Sequence, residues 1–393
     1  MLTCPAGFVA NGLRAGIKPS GKPDLAVVLA PGGATAAAML TSNAVRAAPL
    51  IVTARNLSSS ASDVRAVLIN AGCANAATGD EGERRAVACT EALAKRIGCR
   101  SSQVLVNSTG VIGVQLPEER VVGALDALVA GAAADGLVRA AEAIMTTDTR
   151  MKVAEATGRT ATGEPFRVVG IAKGAGMIHP ALVPHATMIV VILVDAAVEP
   201  SALAAALARA CDRSFHRISI DGDTSTNDAV FALASGVAGR ADGASLDAAL
   251  TDVSRSLALQ IVRDGEGATK LIHVRVAGAR SAADALAAAR TVALSMLVRT
   301  AVAGGDPNWG RILAALGRSG ASFELARLAV HADRIPLFAH GAPCATTPAE
   351  RARIFKSADV AIVIDLAAGT HADEFFTCDL TEEYVRVNAE YTT

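Results

Sequence analysis

The chain has 393 residues, 51% of them apolar, which is enough for one large core or two packed domains and too many for a disordered protein. Lys and Arg number 37 against 38 Asp and Glu, so the overall field gives no reason to expect nucleic acid or a membrane surface as partner. One Trp and two Tyr leave no stacking platform for single strands, and seven cysteines without a C-x-x-C pair argue against a disulfide framework or a zinc cage.

The N-terminus, MLTCPAGFVANG, has neither the basic stretch nor the apolar run of a signal peptide. No window approaches the ~18 uninterrupted apolar residues of a membrane span, so a cytoplasmic location in a reducing compartment is expected. Strands and helices alternate from there on. Residues 64–70 read as a buried strand, and a helix follows from Glu83, with Ala86, Leu93 and Ile97 on one face and Gly98 as its stop. Pro117 opens a helix through Ala130, and residues 137–145 continue the helical pattern to the polar break Thr146-Thr147-Asp148.

Residues 166–172 read as a strand that ends in the glycine-rich turn Lys173-Gly174-Ala175-Gly176. Beyond Pro180 and Pro184, the apolar run 188–194 reads as a fully buried strand. Leu246, Leu250, Val253, Leu257 and Ile261 form one stripe at helical spacing, while Ile272, Val274 and Val276 alternate with His273 and Arg275 as in a half-exposed strand. Ala277-Gly278-Ala279 then suggests a joint, dividing residues 1–278 from 279–393.

Generic motifs give little. There is no H-E-x-x-H, Walker loop, complete dinucleotide fingerprint or G-x-S-x-G elbow, and no metal is assigned. The acidic string 221–228 reads as a hydrogen-bonded turn rather than a cation site. Thr187 opens a buried strand directly after a loop containing two Gly and two Pro residues. If the Ala186–Thr187 peptide bond breaks, Thr187 gains an α-amine whose ordinary pKa of ~7.7–8.0 suits it to act as the base for its own hydroxyl. By spacing alone, a threonine opening a strand is an ordinary β-former and Thr109-Gly110 an ordinary turn, whereas Lys173 reads equally as a loop cation or a partner for a substrate carboxylate, and Glu266 equally as a helix-end acid or a partner for a substrate ammonium.

The string IAKGAGMIHP followed by HATM closely resembles the processing site of the ornithine acetyltransferases, also called glutamate N-acetyltransferases. NSTGVIG (107–113), AIMTTDT (143–149), IDGDTSTND (220–228), RDGEGATK (263–270), GGDPNWGR (304–311) and the ending CDLTEEYVRVNAEYTT (378–393) resemble the same family in the same order. The resemblance runs from PAGFVANGLRAGIK (5–18) to the last residue. It implies a layered α/β fold, an αββα sandwich of the amino-terminal-nucleophile aminopeptidase type, with a smaller C-terminal α/β domain from about residue 279 whose tail reaches the active site.

It also implies self-cleavage between Ala186 and Thr187 into fragments 1–186 and 187–393, with Thr187 as nucleophile and Thr109 with Gly110 as the oxyanion hole. Thr146, Lys173, Thr187, Glu266, Asn388 and Thr393 match the family's substrate-binding positions. The implied reaction moves an acetyl group from N2-acetyl-L-ornithine to L-glutamate in arginine biosynthesis, without a resident cofactor. Some members also take the acetyl group from acetyl-CoA. The partners implied are small amino acids and the two fragments themselves, assembled as a dimer of heterodimers.

Two departures from the family stand out. Ala181-Leu182-Val183-Pro184-His185 is longer than the usual connection, so Val183-Pro184-His185 reads as an insertion just before the cleavage site. Because a misplacement of ~1 Å can cost about a hundredfold in rate, slow or absent self-cleavage is one expectation. His185 could serve there as a proton acceptor, although a loop histidine without such a role is the commoner case. Cys73, in NAGCANAATG, stands where the family more often has asparagine, and a modest change in local hydrogen bonding is expected. The rival readings are an amidase or aminopeptidase on the same scaffold, an acetyltransferase of secondary metabolism with another acceptor, and an uncleaved, inactive relative.

Overall fold

The computed structural model describes residues 2–180 and 188–390. Two compact units emerge, Met1–His216 with Asp223–Ile261 and Arg217–Gly222 with Val262–Thr392.

The first unit is organised by one long strand. After β1 (Val9–Leu13), β2 (Leu25–Leu40) pairs through Leu25–Leu29 with β1 on one side and with β3 (Val64–Cys73) on the other. It then passes through Pro31-Gly32-Gly33, where the register shifts, and through Thr35–Leu40 pairs with β8 (Ala229–Ala234). Proline and glycine suit this break: proline has no N–H for a ladder, and Gly33, at φ +85°, lies where a Cβ would meet Asp63 Oδ1 at 2.4 Å. Between β2 and β8 in the chain come α1 (Ala48–Ser60), α2 (Gly79–Ile97), β4 (Val104–Val111), α3 (Glu118–Ala130), α4 (Leu137–Ala143), β5 (Lys152–Arg159), β6 (Pro165–Lys173), β7 (Ile189–Val194) and α5 (Pro200–Asp212). The sheet order is β4-β3-β2-β8-β7-β6-β5, with β1 beside β2.

Side-chain alternation shows how the sheet is layered. Val67, Ile69 and Leu105 share a core with Val169, Ile171, Val191, Phe231 and Leu233, so the two halves of the sheet face each other. The outer face of the first half, Leu25, Val27, Leu68, Val104 and Val106, packs against α2 and α3 through Leu93, Val121, Leu125 and Leu128. On the outer face of the second half, α6 (Gly243–Arg263) presses Val253 and Leu257 against Gly170, 2.7 and 2.8 Å from where a Cβ would stand. The predicted αββα layering is therefore present in this unit.

In the second unit, β9 (Leu271–Ala279) is followed by α7 (Ala282–Ala293), α8 (Met296–Ala303), α9 (Trp309–Gly317), β10 (Ala329–Ala332), β11 (Ile335–Ala339), β12 (Ala342–Pro343), α10 (Pro348–Arg351), β13 (Asp359–Asp365), β14 (His371–Cys378) and α11 (Glu382–Glu390). The sheet order is β12-β11-β10-β13-β9-β14. Ile272, Val274 and Val276 share its core with Ile362, Ile364 and Phe375 and with Ala285, Ala288 and Ala289 of α7.

Here the expected joint at 278/279 needs correcting. β9 pairs with both β13 and β14, so it belongs to the second unit, and the division falls earlier, between Ile261 and Val262 within α6. Gly278 is small because it is crowded, not because it links domains: a Cβ there would meet Asp365 Oδ1 at 2.2 Å. The first helix stop is as expected, Gly98 closing α2 in the left-handed conformation, but α2 begins at Gly79 rather than Glu83. Asp80 and Glu81 in its first turn favour that earlier start through the helix dipole. No single helix among the described residues is long and apolar enough to cross a membrane, and all seven cysteines are free thiols.

Candidate active site

Because β2 doubles back at residues 31–33, both half-sheets present the same end. Gly72 of β3, Thr109 and Gly110 of β4, Lys152 of β5 and Lys173 of β6 all lie there, as do Asp24 before β2 and Met188 before β7. At the opposite end a cleft of about 780 Å³ is lined by residues that include Gly33, Asp63, Glu199, Ser235 and Arg240. None of the motifs that carried the family resemblance lines it, so it is not the candidate site.

The ends of β3 and β4 meet through glycines. Gly72 pairs with Gly110, and a Cβ on Gly110, at φ +130°, would stand 2.4 Å from the Gly72 carbonyl carbon. Only glycine fits such an approach. A buried amide network underpins it: Asn107 Nδ2 donates to Asn227 O (2.9 Å), Asn227 Nδ2 donates to Ser108 O (2.8 Å) and Ala74 O (2.6 Å), and Ser108 Oγ donates to Asn70 Oδ1 (2.6 Å). Such fully bonded polar groups fix a backbone, since each lost partner would leave a buried group unsatisfied. Cys73 is buried in this corner, its Sγ 3.3 Å from Val114 O, and burial pushes its thiol pKa up.

Lys173, 8% exposed, donates from Nζ to Thr109 Oγ1 at 3.3 Å, joining two predicted site residues. The next amide, Gly174 N, donates to Asp148 Oδ1 at 2.6 Å, while the Thr146 amide donates to Asp148 Oδ2 at 2.9 Å. Asp148 also pairs with the buried Lys152 at 2.6 Å. Burial works to raise the Asp148 pKa, but the charges of Lys173 and Lys152 and the Gly174 amide outweigh it and hold the carboxyl at about 2. Lys18 borders the cluster: its Cγ lies 3.0 Å from where a Gly72 Cβ would be, and its Nζ donates to Pro23 O at 2.6 Å. Burial, helped by Lys173 and Lys22 and opposed by Asp24 and Asp148, brings the Lys18 pKa down to about 8. Sequence reasoning passed over Asp148, Lys152 and Lys18. The one available signal was the four-residue spacing of Asp148, in the polar break Thr146-Thr147-Asp148, and Lys152 just after it.

In the second unit Asn388 Nδ2 donates to Glu266 Oε2 at 2.9 Å. The Glu266 loop is tied to the C-terminal segment by Thr381 Oγ1, which donates to Gly267 O at 2.7 Å, and by Asp379, which accepts from the Thr269 and Lys270 amides at 2.8 and 2.9 Å. Buried Arg299 donates to Cys378 O at 2.7 Å. A tail that would usually fray is instead a helix, α11, held at its start.

Ala186, Thr187 and Thr393, with Val183-Pro184-His185, lie outside the described residues. In the acidic string, Gly222 N donates to Ser219 Oγ (3.2 Å) and Asn227 N donates to Ser225 Oγ (3.1 Å), as in a hydrogen-bonded turn, and Thr224 Oγ1 donates to His179 O (2.9 Å). Among the described residues no cluster of three His, Cys, Asp or Glu could hold a metal ion.

Residues 9–393 match the ArgJ family. An arginine biosynthesis bifunctional protein ArgJ from Parasynechococcus marenigrum is 44% identical over 393 residues, covering 100% of this chain and 95% of that protein. The protein of the same name from Thermus thermophilus is 45% identical over 389 residues, covering 99% of both. Among solved structures, the ArgJ of Bacillus halodurans is 40% identical, covers 50% of this chain and 96% of its own, and has a TM-score of 0.48. Ornithine acetyltransferase from Mycobacterium tuberculosis complexed with ornithine is 38% identical, covers 46% of this chain and 95% of its own, and has a TM-score of 0.42. A family match over nearly every residue, with relatives above 40% identity along their full lengths, shows that the chain belongs to the ArgJ family.

Proposed function

We propose that this protein transfers an acetyl group from N2-acetyl-L-ornithine to L-glutamate, in arginine biosynthesis, through an acetyl-threonine intermediate. Thr187 Oγ attacks the acetyl carbonyl while its proton passes to the Thr187 α-amine. The tetrahedral intermediate collapses, the proton is delivered to the leaving nitrogen, and ornithine departs. The α-amine of glutamate then attacks the acetyl ester, releasing N-acetylglutamate and restoring Thr187. The oxyanion is held by the Thr109 hydroxyl and the Gly110 amide. Thr146, Lys173, Glu266, Asn388 and Thr393 bind the amino-acid substrates, with Glu266 opposite the ornithine side-chain ammonium.

The observation that carries this reading is the Lys173 contact with Thr109 where the ends of the parallel strands β3 and β4 crowd together, at one end of the first unit's sandwich. A charged donor on the hydroxyl oxygen leaves the hydroxyl proton directed elsewhere, as an oxyanion donor requires. The full-length family match supports the same chemistry.

The decisive assay mixes the protein with N2-acetylornithine and glutamate. Ornithine and N-acetylglutamate should appear in equal amounts, whereas acetate released at the same rate with or without glutamate would mark a hydrolase instead. A panel of other amino-acid acceptors would expose a shifted acceptor. Denaturing electrophoresis should show two fragments, the second beginning at Thr187, and the cleaved chains assemble as a dimer of heterodimers. The relatives named bifunctional support a second reaction from acetyl-CoA to glutamate, which incubation with those two substrates alone would reveal.

A further inference from the structure

We infer that Asp148 is a positioning residue that locks Thr146 and Lys173 into one arrangement, and that Lys173 works in part by fixing the Thr109 hydroxyl. The inference rests on the acetyltransferase reading above. The two segments involved come from separate parts of the first unit: Thr146 precedes β5, and Lys173 ends β6. The Asp148 carboxylate ties them, taking the Thr146 amide on Oδ2 at 2.9 Å and the Gly174 amide on Oδ1 at 2.6 Å. Gly174 is itself at φ +152°, with Ile178 Cδ1 2.9 Å from where its Cβ would stand, so the turn after Lys173 depends on that anchored amide rather than on a side chain of its own.

The charge of Asp148 matters as much as its geometry. Burial works against a lysine's charge, and a neighbouring anion favours it. Lys152 and Lys173 both act on this carboxylate, and they keep it ionised despite its burial. A protonated Lys173 can only donate, so Thr109 Oγ1 must be the acceptor of their 3.3 Å contact and its own proton is left for the substrate. Neutral Lys173 could accept that proton instead, and the oxyanion donor would be lost. Asp148 therefore sets both where Lys173 sits and which way Thr109 donates, without touching substrate.

The test pairs Asp148→Asn with Lys152→Met, which removes the buried ion pair as a unit, and compares it with Lys152→Met alone. Asparagine places an NH2 where one of the two amides needs an acceptor, so one tie is broken. Relative to Lys152→Met, the double variant should show KM for N2-acetylornithine raised about tenfold, and kcat per trapped acetyl-enzyme lowered about a hundredfold, the usual cost of a ~1 Å misplacement. Normalising to trapped acetyl-enzyme separates this from a loss of folded protein, which would leave KM unchanged. A folded double variant with both constants within about twofold of Lys152→Met overturns the inference. Should that variant fail to fold, Asp148→Glu, which keeps the charge but moves the carboxylate by one methylene, takes its place: the same KM rise supports the role, and unchanged constants overturn it. Wild-type protein that performs no exchange would count against the acetyltransferase reading rather than against Asp148.

Discussion

The two groups of candidate residues are built in opposite ways. In the first unit Lys173 is 8% exposed and Asp148 is buried, and each is tied to backbone or to another site residue. Glycines at Gly72 and Gly110 let the chain approach more closely than any side chain would allow. In the second unit Glu266 is half-buried and Asn388 is exposed, joined by one hydrogen bond between a loop and the helix α11. Rigid, charge-locked groups suit chemistry, in which sub-ångström placement governs the rate. A half-buried acid and an exposed amide suit recognition, in which a substrate ammonium can displace a modest neutral partner.

Mutations can break or sharpen that contrast. The largest effect is expected at Thr187: replacement by alanine should lower acetyl exchange by about a thousandfold or more, read as ornithine formed per minute. Undiminished exchange would remove the mechanism altogether. Thr109→Ala should lower kcat by ~10²–10³ with little change in KM, because the lost donor acts on the transition state. Glu266→Gln should do the reverse, raising KM for N2-acetylornithine about tenfold to a hundredfold while kcat stays within a few-fold, as expected for loss of one charged hydrogen bond. If the kcat effect appeared at Glu266 and the KM effect at Thr109, the contrast would be inverted.

A smaller effect is expected from acid. The Asp148 carboxyl, held at about 2, lies below its unfolded value, so the stability it contributes is complete above about pH 4 and is lost as pH falls through 2. Thermal melts across that window should lose on the order of 2 kcal/mol in the wild type, and the loss should be absent when Asp148 and Lys152 are replaced together. Asn388→Ala should raise KM only a few-fold, the scale of a single exposed neutral hydrogen bond.

Much of this was legible in the sequence, for physical reasons that differ by residue. Gly98 after a periodic run, Pro117 before one, and the apolar run after Met188 each impose a local backbone choice, and each of those boundaries stands where expected. Thr109-Gly110, Lys173, Glu266 and Asn388 are site candidates only through resemblance, because their spacing alone also fits ordinary turns and loops. The doubling of β2 was not read, since Pro31-Gly32-Gly33 looks like the end of a strand rather than a bend within one. The unit boundary was misplaced for a related reason: α6 runs through it without a break in periodicity, whereas the small residues at 277–279 answer crowding inside β9. Asp148 is legible only as a charge four residues before Lys152, and that spacing does not reveal a carboxylate acting through backbone amides.

The path of β2 bears on what a cut after Ala186 would do to the first unit. β2 and β6 belong to the leading piece, and β7 and β8 to the trailing one. In the sheet, β7 lies between β6 and β8, and β8 is zipped along β2. The pieces are thus interleaved like the fingers of clasped hands, sharing a ladder on both sides of the β7–β8 pair. Severing the chain would free two ends without creating two separable bodies, and pulling them apart would mean unfolding the central sheet.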